Sequence, residues 1–241
     1  QRVPLTIAEA EDLALADEPG RGALLAQAEA MTEQAVAAGA LPDPTMRVGL
    51  ANYPIESGGF STEGMTQAQL GIRQAFPRAR SLGTEQMQAR ANAFSRSADA
   101  RRRDVLTMVR RAWLEVYYAQ QAWSVVNESR PFFDDLVTIT RSMYGVGRKT
   151  QHDVLRAELE LSRLDDRLIE ASRARAEAQA ALSRWLGQGA YRPIAQKLPA
   201  WESVPTLEDL RDGLGLHPSL AAAQASIDAK GTAVDIAEEN K

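Results

Sequence analysis

Two short stretches of the chain alternate in polarity and two long ones repeat by sevens. From Thr45 to Tyr53, apolar Met46, Val48 and Leu50 alternate with Arg47, Gly49 and Ala51. From Thr66 to Phe76, Ala68, Leu70, Ile72 and Phe76 alternate with Gln67, Gln69, Gly71 and Arg73. A period of two predicts strands. The intervening Pro54-Ile55-Glu56-Ser57-Gly58-Gly59 supplies turn formers, so the expectation is a β-hairpin with a longish loop. One hairpin is marginal alone and needs further strands. The chain offers no others as convincing.

The helical pattern is stronger. Thr6 and Glu9 fit a capping box ahead of a short helix running to Asp17. Pro19 suits the first turn of a second helix, which should stop near Gly39, before Pro42 and Pro44. A long helix is predicted from Leu82 to Met143. In its middle Val105, Val109, Ala112, Val116, Ala119, Trp123 and Val126 form a seam that Leu106, Trp113 and Tyr117 widen. Pro131 should kink this helix without ending it. Gly145 and Gly147 break it. From Gln151 to Leu186 the heptad returns, with Val154, Leu161, Leu168, Arg175 and Leu182 at one position and Ala157, Leu164, Ala171, Ala178 and Trp185 at the other. Only Arg175 is out of character. The short turn between them predicts one antiparallel helical hairpin. The first long helix would span ~90 Å and its partner ~55 Å, leaving room for the Pro19–Gly39 helix to stack on the shorter one.

Gly187 to Pro205 reads as a non-helical, extended excursion. After it Thr206-Leu207-Glu208-Asp209 starts another helix, and His217-Pro218 one more. These echo Ile7–Ala16 and the segment from Pro19 after about two hundred residues, as an internal repeat would. The echo predicts one full repeat plus the opening of a second, cut at Lys241.

Composition changes this picture little. The 241 residues carry 25% charged and 44% hydrophobic side chains, which points neither to disorder nor to a helical membrane protein. A transmembrane strand needs only ~10 alternating residues and escapes bulk hydropathy. The net charge of −4 argues against nucleic acid as a partner. With no cysteine, thiolate metal sites, thiol nucleophiles and disulfides are excluded. Gln1-Arg2-Val3-Pro4 lacks the apolar core of a signal peptide, leaving a cytosolic chain or one whose signal has been removed. His152 and His217 belong to no ligand spacing, the methionines are scattered, and Asp134-Asp135 and Asp165-Asp166 read as solvated pairs. No phosphate loop or nucleophile elbow is present. The expectation is a protein without catalytic residues, cofactor or metal.

The order of helices, hairpin, long helical pair and repeat resembles the TolC-like outer-membrane factor family, over essentially the whole chain. Three stretches carry the likeness: Val36-Ala37-Ala38-Gly39-Ala40-Leu41-Pro42-Asp43-Pro44, Met65-Thr66-Gln67 through Gln74-Ala75-Phe76-Pro77-Arg78, and Tyr144-Gly145-Val146-Gly147-Arg148-Lys149-Thr150-Gln151-His152-Asp153-Val154-Leu155. The first two look most like its heavy-metal-exporter branch. The resemblance implies a mainly α chain whose long antiparallel helical hairpin is an α-barrel segment and whose two-stranded β-hairpin joins a trimeric outer-membrane β-barrel. It divides the chain into periplasmic helices (1–44), barrel hairpin (45–77), long helical pair (78–190), and linker with the start of a second repeat (191–241). It implies a passive export conduit in the outer membrane, a homotrimer, docking to a periplasmic adaptor and an inner-membrane pump. Gly145, Val146, Gly147 and Arg148 match the adaptor-docking tip, and Asp153 a residue that holds the tip shut. Asp153 also reads simply as a helix N-terminal carboxylate. Lipid would meet Met46, Val48, Leu50, Leu70 and Ile72, and a watery lumen Arg47, Gln67, Gln69 and Arg73.

The rival from another class is a soluble periplasmic coiled-coil scaffold or an adaptor-type protein. An adaptor should carry β-rich lipoyl-like halves flanking the hairpin, and none is visible. A scaffold gives no reason for two alternating strands bracketed by Pro42, Pro44, Pro54 and Pro77.

Overall fold

The computed structural model describes residues 3–16, 18–56, 58, 64–76, 80–200 and 203–239. Their order is α1 (Ile7–Ala16), α2 (Pro19–Gly39), β1 (Thr45–Ala51), β2 (Gln67–Arg73), α3 (Arg80–Gly145), α4 (Gln151–Leu186), α5 (Leu207–Gly213) and α6 (Pro218–Glu239). Short 3₁₀ turns follow α4 (Gly187–Tyr191) and α5 (Leu214–Leu216). Gln1, Arg2, Asp17, Ser57, Gly59, Pro77, Arg78 and Lys241, which the sequence reading invoked, lie outside the described residues. The chain divides into two compact units, Gln1–Arg21 with Ala100–Asp212 and Gly22–Asp99 with Gly213–Lys241.

The first unit is built on α3 and α4. The α3 helix is 66 residues long and passes through Pro131 without ending. It runs antiparallel to α4, since cross-links descend one helix as they climb the other: Arg141 to Glu158 (2.7 Å), Arg130 to Asp165 (2.8 Å) and Arg175 to Gln120 (3.4 Å). All ten heptad positions of α4 are buried or half-buried. Arg175 fits among them because its guanidinium lies 4.7 Å from the centroid of the Trp123 ring, where the cation meets the negative face of the indole. On α3 the seam centres on fully buried Val105, Val109 and Trp113, with Ala112 beside them only partly buried.

That core also gathers Leu5, Ala10, Ala14, Val116, Leu182 and Ala190. The small α1 alanines let the short helix lie close, and the Trp113 indole donates to the Leu5 carbonyl at 3.1 Å in the buried centre. Leu5 forms a one-residue parallel bridge with Ile194, its N–H donating to Pro193 (2.7 Å) and its carbonyl accepting from Ala195 (3.1 Å). The expected excursion after Gly187 is therefore a 3₁₀ turn followed by a strand-like segment that pins the N-terminal one. The expected capping box at Thr6 is half formed. Thr6 Oγ1 accepts from the Glu9 amide (3.2 Å), but the Glu9 carboxylate turns to Arg192 at 2.7 Å, a charged donor outcompeting a neutral amide.

The second unit holds the strand pair, α6, most of α2 and the start of α3. The α2 helix ends at Gly39, where an added Cβ would come 3.0 Å from Thr84 Oγ1. β1 and β2 pair antiparallel, Met46 opposite Ile72, Val48 opposite Leu70 and Leu50 opposite Ala68. Both strands are shorter than the alternation suggests. β1 stops at Ala51 because Asn52 takes a positive φ of 54°. β2 stops at Arg73, where the Gln74 side chain turns back to the Pro42 carbonyl (2.7 Å), leaving Phe76 off the strand.

Candidate functional site

Two features stand apart from packing: the reversal between α3 and α4, and the strand pair. At the reversal Gly145 is the last helical residue, and only Gly147 takes a positive φ, of 73°. The two glycines are not equivalent, since Gly147 and not Gly145 takes the left-handed backbone. The Gly147 amide donates to the Tyr144 carbonyl and the Arg148 amide to Met143, each at 2.9 Å. Those paired bonds make a Schellman motif with glycine at the left-handed position, which other L-residues resist.

The following helix starts as tightly. Thr150 Oγ1 accepts from the Asp153 amide (3.3 Å), and Asp153 Oδ2 accepts from the Thr150 amide (2.9 Å) and hydroxyl (2.8 Å). This reciprocal box satisfies donors that a helix start leaves free. The Thr150 amide and then its hydroxyl, helped by Lys149 and His152, hold the Asp153 carboxyl below its ordinary value. Asp153 is thus a helix cap by geometry. Between the two caps Val146 and Arg148 project into solvent, Val146 at 69% exposure. The same box recurs at Thr206 and Asp209 before α5 (3.0 and 3.2 Å), and His217 Nδ1 accepts from Ser219 before α6 (3.3 Å).

In the strand pair, direct cross-strand partners share a face. Register therefore puts Met46, Val48, Leu50, Leu70 and Ile72 on one side, and Arg47, Gln67, Gln69 and Arg73 on the other. Each of the five apolar residues is more than half exposed, with Ile72 at 77%. No helix among the described residues is long and apolar enough to cross a membrane. Sequence reasoning missed the bridge between Leu5 and Ile194 and the tie from Trp113 to Leu5. Their only advance signal was an apolar residue following proline in both Val3-Pro4-Leu5 and Pro193-Ile194.

The long helical hairpin and the strand pair with one apolar face are the two features that the chain offers for comparison with known proteins. Residues 12–188 match the family described as outer membrane efflux protein, and the chain belongs to that family. Protein CyaE of Bordetella pertussis is 27% identical over 244 residues, covering 97% of this chain and 51% of CyaE. Among solved structures, CusC superposes with a TM-score of 0.74 at 13% identity, over 96% of this chain and 56% of CusC. The Vibrio cholerae outer membrane protein VceC gives 0.72 at 16%, over 96% and 58%. The Campylobacter jejuni CmeC outer membrane channel gives 0.70 at 12%, over 96% and 52%. The chain thus has the fold of these channels and spans about half the length of the relatives it matches.

Proposed function

We propose that this chain is part of the outer-membrane channel of a tripartite efflux system, a passive conduit that joins a periplasmic adaptor and an inner-membrane pump. It works as a homotrimer in the outer membrane, with its long helices in the periplasm. The cargo is a heavy metal or a drug, and a wide lumen leaves the choosing to the pump. The observation that carries this reading, beside family membership, is the segregation of five exposed apolar residues onto one face of the strand pair. Two strands with open edges cannot sit in hydrocarbon, because every backbone group there needs a partner. They make sense as staves of a barrel closed by other strands, with Met46, Val48, Leu50, Leu70 and Ile72 toward lipid and Arg47, Gln67, Gln69 and Arg73 toward water. The reversal at Gly145, Val146, Gly147 and Arg148 docks the adaptor. Asp153 combines its capping with a place in the contacts that hold the tip closed.

The test is complementation. A strain lacking the full-length gene should regain tolerance to the exported compound when the wild-type gene is returned. The Leu70→Arg gene should not restore it, since a lipid-facing arginine costs ~2–4 kcal/mol near the bilayer midplane. Barrel assembly, read as resistance to detergent extraction and protease, should fall with it. Normal assembly of Leu70→Arg would refute the lipid-facing placement.

A further inference from the structure

Within the second unit, helices α2, α3 and α6 line an open-sided groove of about 400 Å³. Its two main walls are single helix faces. Arg90, Ala93, Phe94 and Ser97 come from α3, and Ser226, Ala229, Lys230 and Ala233 from α6. Both sets keep the i, i+3, i+4, i+7 spacing that stacks side chains on one side of a helix. The three alanines leave the space, while Phe94 and, from α2, Met31 give it apolar walls. Ser97 adds little polarity, since its hydroxyl donates to the Ala93 carbonyl at 2.8 Å.

The charge in this groove has one sign. Arg90 and Lys230 line it, and no acidic side chain does. Among the described residues neither cation has an ion-pair or hydrogen-bond partner, whereas Arg101, Arg110 and Arg141 each hold a carboxylate. Basic side chains lay their methylene stems along apolar surface and keep their heads in water. The complement of such a site is an anion with an apolar tail. Size narrows the choice further. An α-helix about 10 Å across displaces roughly 400 Å³ per turn, so the groove has room for about one turn. It suits a small molecule and not a partner helix.

We propose that this groove binds one straight-chain fatty-acid anion, its acyl chain against Met31, Phe94 and the alanines and its carboxylate on Arg90 and Lys230. Charge-assisted bonds to two cations fix the head. Each methylene withdrawn from water adds up to about fourfold in affinity. Binding here requires neither export nor a docked adaptor.

Photolabelling tests the site. Purified full-length protein in an amphipathic polymer is irradiated with palmitate carrying a diazirine near its methyl end, and labelled peptides are mapped by mass spectrometry. Label is expected on the peptides that contain Phe94 or Ala233. Dodecanoate should compete with the probe, octanoate more than about tenfold less well, and methyl dodecanoate, which lacks the charge, only weakly. Arg90→Gln combined with Lys230→Gln should lower labelling more than about tenfold. Ala233→Phe, which fills the groove and keeps both cations, should abolish it, with helical content by circular dichroism as the control for folding. The competition arms use the wild-type chain, so they decide even where a substitution unfolds it. Label spread evenly over other helices, competition by the methyl ester or by octanoate equal to that by dodecanoate, or wild-type labelling of the folded charge variant would each overturn the proposal.

Discussion

At Asp153 a single carboxylate accepts from an amide and a hydroxyl of one residue, Thr150, and the consequence is a pH dependence with a definite sign. Its pKa is held below the ordinary 3.8, by the Thr150 amide first and the Thr150 hydroxyl second. A depressed carboxylate pKa means that the folded chain binds the proton less readily than the unfolded one. The stabilisation is therefore complete above the unfolded pKa and is lost as pH falls through the lower folded value. The melting-temperature gap between wild type and Asp153→Asn should be widest at neutral pH and shrink as pH drops below about 4. A gap that stays constant to strong acid would show that the carboxylate charge is not what the cap uses. Thr150→Ala, which removes the partner hydroxyl, should cost about 1 kcal/mol at neutral pH, read by urea unfolding.

Trp113 shows what happens when elements rather than residues are counted. Its indole fills the centre of the first unit's core and its N–H ties α3 to the Leu5 carbonyl, which in turn bridges Ile194. Trp113→Ala should cost about 3–5 kcal/mol by opening a cavity. Trp113→Phe should lose only about 1 kcal/mol, because it keeps most of the volume and removes one of the two hydrogen bonds that the Leu5 carbonyl accepts, the Ala195 amide remaining. Equal losses in the two variants, measured by chemical denaturation, would show that the hydrogen bond rather than the packing dominates. The helices and strands themselves were legible because each is governed by a local period: α4 is found at Gln151–Leu186, as its heptads require. The half-formed box at Thr6 was not, because Arg192, distant in sequence, takes the Glu9 carboxylate. Nor was the bridge between Leu5 and Ile194, one residue wide on each strand and so without any period to read. At the tip the two glycines look alike in sequence. Only the folded reversal shows that Gly145 closes a helix while Gly147 alone needs a left-handed backbone.

For the molecule as a whole, the decisive question is whether that reversal is where an adaptor takes hold, and Gly147 allows the backbone and the bulk to be separated. An added Cβ at Gly147 meets nothing within 4 Å, so space is not what demands glycine there; the positive φ is. Asparagine tolerates that conformation, whereas a bulky residue both strains it and covers the small exposed turn. Neither change touches the α3 and α4 seams, so trimer formation and barrel insertion should persist in both variants. Gly147→Asn should keep export-dependent tolerance and adaptor crosslinking. Gly147→Trp should lose both, because two turns meeting tip to tip need close backbone approach. The assay is tolerance in cells beside crosslinking from Arg148→Cys to the adaptor, with trimer recovery as the control for assembly. Wild-type tolerance and wild-type crosslinking in Gly147→Trp would place the docking surface elsewhere on the molecule.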